Sequence, residues 1–136
     1  MITTRQKEHI NKYESGASVT EFALLMLPLM LLLLGGVEFG RYFWVRHVVT
    51  SAAHEGARMA ILNEPTDAEV RARVNRALAD GGVSAQAQVS VSSRQANQPV
   101  SVTVTMPFNF LGLPGFIPAL DDVAAINATA VMVHEP

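Results

Sequence analysis

The carboxylate of Glu21 stands at the mouth of the longest apolar run in the chain, residues 22–34, and Gly16-Ala17-Ser18-Val19-Thr20 comes immediately before it. A charged side chain at membrane depth costs roughly 2.5–3.5 kcal/mol on insertion scales, so an acid in this position calls for a partner. A peptidase cut after Gly16 would create one. Ala17 would then carry a new α-amine four residues ahead of Glu21, on the same helical face, and the amine of this chain or of a neighbouring copy would neutralise the acid. The competing reading puts Glu21 at the headgroup boundary, where water satisfies it. What favours an ion pair is the whole constellation: a leader with Arg5, Lys7 and Lys12, then glycine, four residues, glutamate and an apolar span.

Other chemistry is sparse. With no cysteine, the chain has no disulfide framework, thiol nucleophile or zinc knuckle. Of the four histidines, His9 lies in the leader and His134 near the end, while His47 and His54 fall on similar faces two helical turns apart, too far for one ion. No convergent acid, base and nucleophile emerge, so neither an enzyme, a metal, a cofactor nor a small-molecule substrate is expected. A formal charge of -2 and a pI near 6.0 argue against a nucleic-acid footprint.

These residues must be positioned by a span and a small domain. Residues 17–39 supply about 34 Å of helix, enough for a bilayer core of roughly 30 Å. Gly35-Gly36-Val37-Glu38-Phe39-Gly40 offers no small-residue cleavage pattern of a secretory signal, which favours an anchor. Lys and Arg counts on the two sides are similar (Arg5, Lys7, Lys12 against Arg41, Arg46, Arg58), so charge does not fix the orientation.

Helical spacing continues through Val45, Val48, Val49, Ala52, Ala53, Gly56, Ala57 and Ala60, which predicts one long helix over residues 17–62, with a kink at Pro28. Ala52, Ala53, Gly56, Ala57 and Ala60 form a small-residue stripe that lets another backbone approach, either the domain's own sheet or a second subunit. Thr66-Asp67-Ala68-Glu69 reads as a capping box for a short second helix, closed by Gly81-Gly82.

From Ala85 the period becomes two. Strands are predicted over residues 85–91, 100–106 and 123–133, with Val100, Val102, Val104 and Met106 on one face of the second and Ile126, Ala128, Ala130 and Met132 on one face of the third. The loop at 107–118 carries Phe108, Phe110, Leu111, Leu113, Phe116 and Ile117 among prolines and glycines; it either closes the end of the core or is a docking patch for a partner subunit or the membrane surface. The fold class is therefore α+β: a long N-terminal helix with a membrane half and an amphipathic half, one short helix, and a small antiparallel sheet of about three strands. The expected segments are residues 1–16 as leader, 17–39 as transmembrane helix, 40–62 as its amphipathic continuation and 63–136 as a small extracytoplasmic domain.

Thr20-Glu21-Phe22-Ala23-Leu24 through Pro28, Gly36-Val37-Glu38-Phe39-Gly40-Arg41 and Ala52-Ala53-His54-Glu55-Gly56-Ala57-Arg58 together resemble the TadE-like pseudopilins of tight-adherence (Tad, or Flp-type) pilus systems. The resemblance is good over residues 16–60 and only architectural beyond. It implies a pseudopilin-like, single-pass protein of the bacterial inner membrane, with its leader cytoplasmic and its C-terminal domain outside. It also implies cleavage after Gly16 by a prepilin peptidase, with Glu21 then the fifth mature residue. The implied partners are that peptidase, other pseudopilins or pilin, and the inner-membrane assembly platform. The implied role is minor-component support of pilus assembly, adherence and biofilm formation. The rival reading is an unprocessed single-span adaptor whose extracytoplasmic domain recruits a protein partner.

Overall fold

The computed structural model describes residues 4–62, 65–83, 87–93, 98–111 and 125–133, with side chains from Gly16 onward. The chain forms two compact units, Met1–Val37 and Glu38–Pro136. One helix, α1 (Thr4–Ala60), contributes to both. It starts earlier than residue 17, where the sequence predicts it, because the polar residues ahead of Gly16 contain no helix breaker. Pro28 lies inside it, and the helix runs on through Gly35 and Gly36.

In the first unit the large apolar side chains point outward. Leu24, Leu25, Leu27 and Leu32 are each at least 70% exposed, and the helix is long and apolar enough to cross a membrane, with mean hydropathy reaching 2.2. That is the behaviour of a segment whose solvent is lipid rather than a protein core.

The second unit contains the rest of α1, then α2 (Asp67–Asp80), β1 (Gln88–Val91), β2 (Pro99–Pro107) and β3 (Ala125–Val133). The sheet is antiparallel in the order β1-β2-β3, with Val91 opposite Val102 and Val102 opposite Ala130. A backbone bond from Ser92 N–H to the Ser101 carbonyl, 2.9 Å, extends the hairpin by one further rung. Period-two alternation has the expected effect: Val100, Val102, Val104 and Met106 are all buried, and from β3 Ile126 and Ala130 join them. These pack with Val48, Val49, Ala52, Ala53 and Ala57 of α1 and with Val70, Val74 and Leu78 of α2 in one core.

Helix α2 is fixed at both ends by local chemistry. The Thr66 hydroxyl accepts from Glu69 N–H at 3.3 Å, and the Glu69 carboxylate accepts from Thr66 N–H at 2.7 Å, completing the capping box. At the other end Gly82 has φ of 73°, and Val83 N–H reaches back to the Leu78 carbonyl at 2.9 Å, the closing bond of a Schellman turn. Gly81 is needed for a different reason: a Cβ there would run into the Val48 side chain. The paired glycines thus divide two tasks, close approach of α2 to α1 and reversal of the chain.

Candidate functional site

Gly16, Ala17 and Glu21 all lie within α1, and all are exposed. Nothing comes within 4 Å of the place a Gly16 Cβ would occupy. The Thr20 hydroxyl donates to the Gly16 carbonyl at 2.9 Å, a bond from one turn below onto the peptide that joins Gly16 to Ala17. Two ion pairs occur among the described residues, and neither uses Glu21. The acid therefore faces outward, one turn away from that peptide and at the start of the exposed apolar face.

The small-residue stripe packs inside the chain. Ala52, Ala53, Ala57 and Ala60 are buried, and so is Gly56, where an added Cβ would sit 2.5 Å from Val74 Cγ2 and 3.1 Å from Val102 Cγ1. The stripe thus admits both α2 and the middle strand of the sheet. Adjacent positions on the other faces, Arg46, His47, Thr50, His54 and Arg58, are exposed.

A second constellation escapes sequence reading. Glu38 is the one buried charged residue among those described, 4% exposed, and its carboxylate accepts from Arg41 at 3.1 Å. The same guanidinium donates to the backbone carbonyl of Asn109 and lies 4.4 Å from the centre of the Phe108 ring. Phe108 and Phe110 meet edge to face at 5.1 Å, Tyr42 packs on both, and Phe39 touches Phe110. From the apolar loop, then, Phe108 and Phe110 turn into the core and close its end. Leu111 stands 80% exposed, and Leu113, Phe116 and Ile117 lie outside the described residues. The i, i+3 spacing of Glu38 and Arg41 was a visible signal of their pairing. The partner carbonyl of Asn109, 68 residues away, was not.

Elsewhere, Arg73 of α2 grips Glu55 of α1 with two bonds, 2.8 and 3.2 Å. The bonds and charge of Arg73 hold the Glu55 carboxyl below its ordinary range, and the Thr66 backbone and hydroxyl do the same for Glu69. A shallow groove of about 400 Å³ beside this pair is lined by Glu55, Arg58, Met59, Leu62 and Arg73. Among the described residues no group of three or more His, Asp or Glu side chains is placed to hold a metal ion.

Among the described residues one helix is long and apolar enough to cross a membrane, and with the small α+β domain that follows it this fits a single-pass membrane protein. Residues 16–58 match the family model described as TadE-like protein. This bears out the resemblance read from the sequence, over the segment that holds Gly16, Glu21, Glu38, Arg41 and most of the small-residue stripe, and it associates the chain with Tad pilus assembly and with the membrane. No individual curated protein and no solved structure matches the chain.

Proposed function

We propose that this chain is a minor pseudopilin of a tight-adherence pilus. On this reading a prepilin peptidase cuts it after Gly16, and the mature protein supports pilus assembly from the inner membrane, its α+β domain facing outward. The observation that carries the proposal is the TadE-like match over residues 16–58, which includes the Gly16-Ala17 junction and Glu21 at the head of an outward-facing apolar helix. Cutting there removes Arg5, Lys7 and Lys12 and leaves an α-amine one turn from Glu21. An acid and an amine at membrane depth are each costly alone and much less so together. The pair would therefore fix the axial register between neighbouring subunits, because sliding one helix along the other leaves both charges unmatched.

Glu21→Ala tests this role. Removing a membrane-level charge eases insertion, so the variant should fractionate with membranes and be cleaved as the wild type is, yet fail to support pili. Wild-type piliation by Glu21→Ala would end the pairing hypothesis. Normal function of a protein that keeps its leader would favour the single-span adaptor instead.

A further inference from the structure

The outward face of α1 changes character at a definite residue, and that residue is not the one at which the apolar run ends. Beyond Val37, 69% exposed, come Phe39, Phe43 and Trp44 at 44, 60 and 60%, and after Trp44 no large apolar side chain of α1 is exposed again. The next outward positions are Arg46, His47, Thr50, Ser51, His54 and Arg58. Of the two charged residues in between, Glu38 is buried, and the partly exposed Arg41 is paired with it, its guanidinium held by the Asn109 carbonyl and the Phe108 ring. Beside Phe39 packs Phe110, and the next residue of that loop is the exposed Leu111.

We propose that the rim formed by Phe39, Phe43, Trp44 and Leu111 seats the folded domain on the phospholipid bilayer, at headgroup level. The proposal rests on reading α1 as a membrane span and adds where that span ends. Two features select lipid as the occupant. The rim is continuous, along the same helix, with side chains already turned outward from the span, and its composition of Trp and Phe bordered by Arg and His is the one that favours the membrane–water boundary. Pairing of Glu38 with Arg41 under the rings has a role here, because at this depth a lone carboxylate is poorly solvated.

Trp44 is the only tryptophan, so its fluorescence reports this one position. The full chain, reconstituted without partner proteins at high dilution in phosphatidylcholine vesicles, should float with the lipid. Its emission should be blue-shifted, shielded from acrylamide, and quenched at least twofold more by lipids brominated near the headgroup than by lipids brominated near the chain end. Because the chain has no cysteine, a nitroxide on Leu111→Cys can be compared directly with one on Thr129→Cys. The first should be shielded from an aqueous nickel relaxant and the second accessible. Water-like, acrylamide-accessible emission from protein that does float overturns the proposal and leaves the span intact. So does stronger quenching by the deep bromines, or a Leu111 site as accessible as the Thr129 site. Shielding from acrylamide without bromolipid quenching assigns the face to a second copy of the chain and likewise overturns it. Failure to float removes the span reading and the rim with it.

Discussion

The two compact units share a single helix and treat apolar side chains in opposite ways. In residues 16–37 the outward residues are large, chiefly Leu, Met and Phe, and are exposed; from Val48 to Ala60 the buried residues are Val, Ala and Gly and meet α2 and β2 at close quarters. The backbone is the same and the surroundings differ. Large side chains suit a fluid solvent that conforms to any shape, whereas a sheet and a helix approach closely only where the side chains are small. The TadE-like match ends at residue 58, near the end of that close-packed segment.

Glycine substitutions break this comparison most sharply. Gly56→Leu forces a branched side chain into Val74 and Val102 and should cost about 3 kcal/mol, near the upper end of typical overpacking penalties. Gly36→Leu has open space and should shift stability by less than about 0.5 kcal/mol. Thermal unfolding of the full chain in detergent micelles, followed by near-ultraviolet circular dichroism, measures both; equal effects would erase the distinction between the two halves. A smaller loss, about 1–3 kcal/mol, is expected for Glu38→Gln, which removes the charged acceptor of Arg41 but leaves its bond to the Asn109 carbonyl. No loss of stability in the same assay would mean that the buried pair is not what ties α1 to the loop after β2.

The smallest effect belongs to the exposed pair that links α1 to α2. Since the Glu55 carboxyl is held below its ordinary value by Arg73, the folded state binds that proton less readily than the unfolded chain. Its contribution is therefore complete above the ordinary carboxylate range and disappears as pH falls through the depressed folded value. Glu69, held down by Thr66, acts in the same direction. The unfolding midpoint should fall on acidification, and Arg73→Ala should remove part of that slope while lowering the neutral-pH midpoint only slightly. An unchanged slope in Arg73→Ala would assign the acid sensitivity to other carboxylates.

Much of this was legible in the sequence where the determining interactions are local. The capping box at Thr66 and Glu69 and the reversal at Gly81-Gly82 depend on residues a few positions apart, and the alternation in 100–106 reports directly on one buried face. Small residues at Ala52, Gly56 and Ala60 announced a close approach but not what approaches; α2 and β2 fill that space. The junction of Glu38 and Arg41 with Phe108 and Asn109 was illegible, because its two halves lie 68 residues apart in the chain and only the fold brings them together. For the same reason the sequence left Phe108 and Phe110 open between closing the core and docking a partner; the fold decides for the first, since both are ring contacts of the domain's own core.

The account stands or falls on the processed N-terminus, since without the cut there is no α-amine to meet Glu21 and no reason for the acid to lie where it does. Mass spectrometry of the protein extracted from membranes of its host, with the prepilin peptidase present and deleted, tests this directly. A mature chain beginning at Ala17 when the peptidase is present, and an intact leader beginning at or next to Met1 when it is deleted, is the result predicted here. A leader retained in both strains, or a first residue other than Ala17, would contradict it.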